Sequence, residues 1–280
     1  MPTAHIMMPV WDRNRSCTIK IYGIIFFKDN GKGCDCFMLK VGLLGYGRTG
    51  KIVAEYLEKQ KNVALKFVIK NSPVKKTPIN IYTHFELRNA IEQHRPEVLI
   101  DFTTKDATIA NLAVLAEVGF KKGIVIATTG FNDDEIDILK AYSKKFSIIW
   151  APNISSGINL LIRAAMMISE VWEDADVHII EEHFRQKKDV SGTALRIRDR
   201  LEKGEVISIR SGGTVGVHKV IFGRENQKIE IIHKSNSRFV FAAGALRLAK
   251  WLNTVKRGFY RMEDYIDSQL SAHKEGWIED

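Results

Sequence analysis

The densest set of groups able to move protons and grip anions lies in one stretch, Glu181-Glu182-His183-Phe184-Arg185-Gln186-Lys187-Lys188-Asp189-Val190-Ser191-Gly192-Thr193-Ala194. His183 can exchange a proton near neutral pH, and Lys187 supplies a fixed positive charge for a carboxylate or a developing anion. Their spacing permits a shared face on a turn. Ser191, Gly192 and Thr193 then open a helix, where hydroxyls and backbone N–H groups form a receptor for a carboxylate. From composition alone, an ordinary charged loop with an N-cap remains the alternative.

A second set is Gly45-Tyr46-Gly47-Arg48-Thr49-Gly50, a G-x-G-x-x-G that follows an apolar strand and opens a helix. In that setting the first glycine permits a tight turn, the second lets backbone approach a pyrophosphate, and the third lets helix and strand pack closely. The phosphates then meet the helix N-terminus. A tight turn without a ligand is the plainer alternative, and the surrounding βαβ unit argues against it. NAD binders usually carry a carboxylate for the ribose about 20 residues beyond the last glycine. Here that region reads Ile69-Lys70-Asn71-Ser72, with Lys75 and Lys76 following. With no carboxylate to repel a 2′-phosphate and lysines to attract one, NADPH is favoured over NADH; an exposed lysine loop is the alternative.

Phe102, Thr103 and Thr104 follow one apolar strand, and Thr128, Thr129 and Gly130 follow another. Ligands bind at such strand ends in open parallel sheets, and small or hydroxyl residues there suit a flat ring. Capping of the next helices is their alternative role, and both can hold together.

The elements that must position these groups alternate from Leu39 onward. Strands are expected at Lys40 to Leu44, Ala64 to Ile69, Val98 to Phe102, Ile124 to Ala127 and Ile148 to Trp150. Helices are expected at Thr49 to Gln60, Phe85 to His94, Ala107 to Val118 and Asp133 to Lys145. Nearly all-apolar strands joined by helices require an α/β, Rossmann-type, doubly wound parallel sheet. After Pro152 the texture changes to a helix from Ile158 to Trp172, a strand Val177 to Ile180, and close-set strands Val206 to Arg210, His218 to Phe222 and Lys228 to His233. These predict a second α+β domain on an open mixed sheet, and a last helix, Phe239 to Leu252, that returns to the first. The expected division is therefore 1–37 as an extension of unassigned role, 38–152 plus 239–280 for the dinucleotide, and 153–238 for substrate and oligomerisation. Met38 is a candidate alternative start.

Composition narrows the classes. At 280 residues and 45% hydrophobic content the chain buries a sizeable core, so wholesale disorder is excluded. Cys17, Cys34 and Cys36 all lie in the extension, which suits a reducing compartment, and no second Cys/His pair completes a metal site with Cys34 and Cys36. The apolar run Ile21 to Phe27 is far below the roughly 20 residues that span a bilayer and reads as a single strand. No secretory leader pattern precedes it, so a cytoplasmic setting is expected. The net charge of +9 comes without a nucleic-acid-binding module and points to anionic small ligands.

The 181–194 segment closely resembles the signature of the 4-hydroxy-tetrahydrodipicolinate reductase family, Glu-x-His-His-x-x-Lys-x-Asp-Ala-Pro-Ser-Gly-Thr-Ala. Supporting stretches follow in the family's order. They are the glycine motif, Asp101-Phe102-Thr103, Thr128-Thr129-Gly130, Ala151-Pro152-Asn153-Ile154-Ser155-Ser156-Gly157-Ile158-Asn159, Gly213-Thr214-Val215-Gly216-Val217-His218, and Ser237-Arg238-Phe239-Val240-Phe241-Ala242-Ala243-Gly244-Ala245. Together they cover about Met38 to Asp264. The resemblance implies reduction of a cyclic dicarboxylate by hydride transfer from NAD(P)H in diaminopimelate and lysine biosynthesis, with His183 as proton donor. Lys187 would bind a carboxylate or stabilise charge, and Ser191, Gly192, Thr193 and Thr104 would contact substrate. Pro152, Asn153, Ile154 and Arg238 would join the cofactor residues. A homotetramer built through the second domain is implied, with no metal.

Three departures stand out. Phe184 replaces the family's second histidine at the substrate, Asp189-Val190-Ser191 is one residue shorter than Asp-Ala-Pro-Ser, and the glycine motif is shorter by one with Thr49 in place of methionine. Rival readings are another Rossmann-type amino-acid or imine dehydrogenase, such as an aspartate dehydrogenase, and a non-catalytic nucleotide-binding homologue. The first does not account for the order His183, Lys187, Ser191-Gly192-Thr193, and intact His183 and Lys187 weigh against the second. A basic nucleic-acid binder is the third, separable by its salt dependence.

Overall fold

The computed structural model describes residues 18–21, 24–27, 38–71 and 79–274. Cys17, Cys34, Cys36, Ser72, Lys75 and Lys76 lie outside the described residues. The chain divides into two compact units, Met1–Met38 and Leu39–Asp280. In the first, the run expected as one strand is instead an antiparallel pair, β1 (Thr18–Ile21) and β2 (Ile24–Phe27), with Ile21 opposite Ile24. Apolar composition alone does not reveal such a reversal.

The second unit begins with β3 (Leu39–Leu44), α1 (Arg48–Glu58), β4 (Val63–Ile69) and β5 (Ile81–Tyr82). A 3-10 turn at His84–Glu86 leads into α2 (Leu87–His94), then β6 (Val98–Asp101), α3 (Lys105–Glu117), β7 (Gly123–Ile126), α4 (Asp133–Tyr142) and β8 (Ser147–Trp150). There follow α5 (Ser156–Val171), β9 (Asp176–His183), α6 (Gly192–Leu201), β10 (Glu205–Arg210), β11 (Gly216–Arg224), β12 (Gln227–Ser235), α7 (Phe239–Leu252), β13 (Phe259–Arg261) and α8 (Met262–Lys274).

Seven strands form one parallel sheet in the order β13-β8-β7-β6-β3-β4-β5. Its strands are apolar because both faces are covered. Val41 and Leu43 pack under Val53, Ala54 and Leu57 of α1, Leu248, Ala249 and Leu252 of α7, and Tyr265 and Ile266 of α8. Leu44, Phe67 and Leu99 face Leu87 of α2, Leu112 and Leu115 of α3 and Leu139 of α4. Each fully buried valine, leucine or phenylalanine among them contributes ~1.5–3 kcal/mol of burial free energy. The order reverses between β3 and β6, and at such a switch the loops at the strands' carboxyl ends diverge and leave a crevice. Both the glycine motif and Phe102-Thr103-Thr104 emerge there.

The second sheet has the order β10-β9-β11-β12, with β9 and β10 parallel and the remaining pairs antiparallel, so it is mixed as expected. Its inner face packs Val177, Ile179, Val220 and Phe222 against Ile158, Leu161 and Ala165 of α5 and Ala194 and Ile197 of α6. The last expected helix does return to the first sheet, as α7. The two- and three-residue strands β5 and β13, and helix α8, go beyond the sequence expectations: such short strands carry too little periodicity to be seen.

Candidate active site

The glycine turn is shaped by contacts that leave no room for side chains. Gly45 has φ +97°, and a Cβ on it would lie 2.6 Å from the Phe102 carbonyl oxygen; one on Gly50 would lie 2.1 Å from the Gly45 carbonyl oxygen. A Cβ on Gly47 would meet nothing within 4 Å. The backbone is therefore packed on two sides and open at the middle glycine, which fits the pyrophosphate of a dinucleotide. α1 has no side-chain cap and no acidic residue in its first turn, so its N-terminal N–H groups and dipole favour an anion.

Two hollows meet at this turn. One of about 430 Å³ is lined by Gly47, Arg48, Thr49, Gly50, Phe102, Thr103, Thr128, Thr129 and Arg238, together with Ala127 and Phe241. The other, about 320 Å³, is lined by Gly45, Tyr46, Gly47, Lys70, Phe102, Thr103 and Thr104, with His84, Ala107 and Asn111 as additions that the sequence does not suggest. Gly130, at φ +86°, lies outside both linings. Pro152 borders a separate hollow beside Trp150 and Arg261, Asn153 donates from Nδ2 to Thr193 Oγ1 at 3.0 Å, and Ile154 is 2% exposed with its carbonyl against Gly244.

The strand-end threonines divide between the two roles open to them. Thr104 caps α3, its Oγ1 accepting from Ala107 N at 3.4 Å. Thr103 and Thr128 instead serve Asp101. Its Oδ1 accepts from Thr103 N at 2.7 Å, Thr103 Oγ1 at 2.6 Å and Thr128 Oγ1 at 3.3 Å. Burial pushes the Asp101 carboxyl up in pKa, against the lowering effect of these donors, and its Oδ2 has no partner. Asn132, not Thr128 or Thr129, caps α4 through a reciprocal box with Glu135.

The second cluster sits on the inner face of the mixed sheet. His183 ends β9, and two residues earlier on the same face Glu181 is fully buried. Its Oε2 meets His183 Nδ1 at 2.5 Å; its Oε1 accepts from Ser191 N at 3.1 Å, Ser208 Oγ at 2.7 Å and Arg210 Nη2 at 2.8 Å. Burial alone would raise the Glu181 pKa, but the donors Arg210, Ser208, His183 and the Ser191 amide outweigh it and hold it at about 2. Arg210 also grips the loop after β9, donating to the carbonyls of Lys187 and Asp189, each at 2.9 Å.

Lys187 follows a turn closed by its N–H on the Phe184 carbonyl at 3.0 Å, and both residues are half-buried. Ser191 precedes α6 without capping it; its Oγ shares a 2.9 Å hydrogen bond with His218 Nε2. Gly192 and Thr193 form the first turn of α6, which carries no side-chain cap and no acidic residue there. Burial, with His183 nearby, pushes His218 down to about 4, so it is neutral at pH 7. The His183 and His218 rings meet edge to face at 5.4 Å. The cluster thus offers one imidazole backed by a carboxylate, a lysine, and an uncapped helix start, a combination suited to protonating a bound carboxylate-bearing substrate.

Sequence reasoning assigns no role to Glu181, Ser208, Arg210 or His218. Glu181 is within its reach, because residues two apart on a strand share a face. The other three arrive through sheet register, Ser208 beside Glu181 and His218 on its other side, which no local pattern encodes. Among the described residues no group of three or more His, Cys, Asp or Glu side chains could hold a metal ion, and no helix is long and apolar enough to cross a membrane.

The family model described as "Dihydrodipicolinate reductase, N-terminus" matches residues 39–154, and "Dihydrodipicolinate reductase, C-terminus" matches residues 157–266. The 4-hydroxy-tetrahydrodipicolinate reductase of Thermosipho africanus is 33% identical over 231 residues, covering 81% of this chain and 98% of that protein. That of Chromohalobacter salexigens is 39% identical over 198 residues, covering 61% and 73%. Dipicolinate-bound dihydrodipicolinate reductase from Paenisporosarcina sp. TG-14 superposes with a TM-score of 0.71 at 22% identity, covering 80% of this chain and 97% of that one, a likeness of fold. With its two halves matching the two halves of one family in order, the chain belongs to the dihydrodipicolinate reductase family.

Proposed function

We propose that this chain reduces 4-hydroxy-tetrahydrodipicolinate to tetrahydrodipicolinate with NAD(P)H, a step of diaminopimelate and lysine biosynthesis in the cytoplasm, with His183 giving the proton. The observation that carries the reading is the pairing, in one compact unit, of a dinucleotide-shaped glycine turn with the His183 cluster. Loss of the 4-hydroxyl group as water would leave a conjugated double bond in the ring, and a nucleotide held by the Gly45 to Gly50 turn would supply it with a hydride. His183 gives its proton to the adjacent carbon, so the double bond gains one hydride and one proton. Lys187 and the N–H groups of Gly192 and Thr193 hold carboxylate oxygens, and Thr104 and Phe184 border the ring. A flat pyridine dicarboxylate bound to the Paenisporosarcina relative has the same charge and shape class. Residues 38–152 with 239–280 hold the nucleotide, and 153–238 hold the substrate.

NADPH is the preferred donor, because Lys70 lines the hollow where an adenosine ribose would lie and no carboxylate of the described residues lines it. Assembly is a homotetramer through the outer face of the mixed sheet. That face leaves Ile207, Ile209 and Ile232 at 40%, 43% and 50% exposure, with Ile180 directly beside Ile207 in the sheet register. Light scattering coupled to gel filtration measures it directly.

The reaction is tested by making substrate in place with a dihydrodipicolinate synthase and following loss of NADPH or NADH absorbance beside a His183→Ala, Lys187→Ala double variant. Oxidation by the wild type alone supports the assignment. No oxidation with either nucleotide, while both bind, sinks it.

A further inference from the structure

One carboxylate touches both halves of the proton-donating cluster. Glu181 is fully buried, its Oε2 against His183 Nδ1 at 2.5 Å and its Oε1 on the backbone N–H that precedes α6, Ser191 N, at 3.1 Å. Two further donors, Ser208 Oγ and Arg210 Nη2, pin Oε1 at 2.7 and 2.8 Å. The carboxylate therefore cannot swing away from the ring without leaving buried donors unpaired, a loss of ~1–3 kcal/mol for each in general.

We propose that Glu181 is a positioning residue for His183: it accepts the Nδ1–H, so that Nε2 is the nitrogen that exchanges the proton, and through Ser191 N–H it fixes the carboxylate-receiving start of α6 relative to that ring. The inference rests on His183 being the proton donor.

Three observations support it. An imidazole whose Nδ1–H is engaged by an ionised carboxylate keeps one tautomer and one orientation, and only its other nitrogen is left for exchange. Glu181 stays ionised throughout the neutral range, held at about 2 by Arg210, Ser208, His183 and the Ser191 amide against the opposing effect of burial. And the strand beside His183 gives way at the required place: a Cβ on Gly216 would lie 3.1 Å from His183 Nε2, so glycine there keeps side-chain bulk off that nitrogen. His218 is the neighbouring ring, and its hydrogen bond goes to Ser191 Oγ, leaving the Glu181–His183 pair to itself.

Glu181→Gln preserves the acceptor for Ser191, Ser208 and Arg210 but turns a donor toward Nδ1, which opposes both the required tautomer and the protonated ring. The expected result is a kcat lower by ~10²-fold or more with nucleotide affinity changed less than about twofold. In a His183→Asn background the same change costs less than about twofold further, because the two residues act as one unit. Equal losses in both backgrounds would overturn the proposal by making Glu181 an independent structural group. A fully active His183→Asn variant would instead remove the donor assignment on which it rests, so the two failures are told apart. Imidazole 15N spectra of the wild type, with His183 assigned by its loss in the Asn variant, decide the matter even if Glu181→Gln does not fold. When the ring is neutral its one proton is expected on Nδ1, and a neutral form protonated at Nε2 overturns the proposal.

Discussion

The nucleotide turn and the His183 cluster lie in one chain but are built on opposite principles. At the turn, the shape follows from side chains that are missing: Gly45 and Gly50 bring backbone against backbone, and Gly47 faces open space. At the cluster, the arrangement follows from side chains that saturate one another, four donors on the two oxygens of Glu181 and a serine tied to a second histidine. The first arrangement tolerates most exchanges of exposed neighbours and no gain of volume at the packed glycines. The second tolerates some change in volume and no loss of a partner, since each deletion strands a buried polar group.

The largest effect should separate chemistry from binding. If His183 gives the proton as proposed, His183→Asn is expected to lower kcat by ~10³-fold, about 4 kcal/mol, while nucleotide affinity stays within about twofold. Steady-state kinetics beside nucleotide titration checks this, and a parallel fall in both quantities would mean that the two regions are not separable. Gly50→Val makes the converse cut. Its Cβ would enter the Gly45 carbonyl, already 2.1 Å from the ideal position, so the turn must open. The expected cost is ~3 kcal/mol of stability or of nucleotide binding, read by thermal unfolding with and without NADPH.

The same contrast explains which features are legible in the amino-acid sequence. The alternation of strands and helices and the turn at Gly45 to Gly50 follow from local patterns, because parallel strands are apolar throughout and glycines mark a tight turn; helix α7 is visible too, but its packing on the first sheet is a tertiary fact. The residues of the 181–194 segment stand together in the chain, so His183, Lys187 and Ser191 are visible as a group. Ser208, Arg210 and His218 are not: they join the cluster only because β10 and β11 flank β9 in a particular register. Nor can sequence alone divide the threonines after β6 and β7 between capping and the support of Asp101. That division depends on which hydroxyl lies over a buried carboxylate, a tertiary fact.

Acid should damage the cluster before the turn. His218 is held at about 4 in the folded chain, chiefly by burial and then by its neighbour His183, against an ordinary value near 6.5. Because the folded state resists the proton that the unfolded state takes up, this group's contribution is intact above about pH 6.5 and is lost as pH falls toward 4. Between pH 7 and pH 5 the loss amounts to about 2 kcal/mol. In His218→Gln, whose side chain can still bond Ser191 Oγ, that part of the slope should vanish. Denaturant unfolding at the two pH values decides it: equal slopes in both proteins would place the acid sensitivity elsewhere.

The smallest expected effect tests whether the turn has a charged specificity element of its own. Lys70 follows β4 at the position where a ribose-binding carboxylate would stand, and it borders the 320 Å³ hollow beside Gly45 and Tyr46. If its ammonium meets a 2′-phosphate, Lys70→Glu replaces attraction with repulsion and supplies a hydroxyl acceptor for the unphosphorylated ribose. NADPH affinity should fall relative to NADH by about tenfold, ~1.4 kcal/mol, at low salt, and by less at high salt because a charge in an open, half-buried position is screened. kcat with saturating NADH should be unchanged, since neither His183 nor Lys187 lines the hollow that Lys70 borders. An unaltered NADPH to NADH ratio would move the specificity to another cation, with Lys75 and Lys76 next along the chain, and would leave the turn as a purely backbone device.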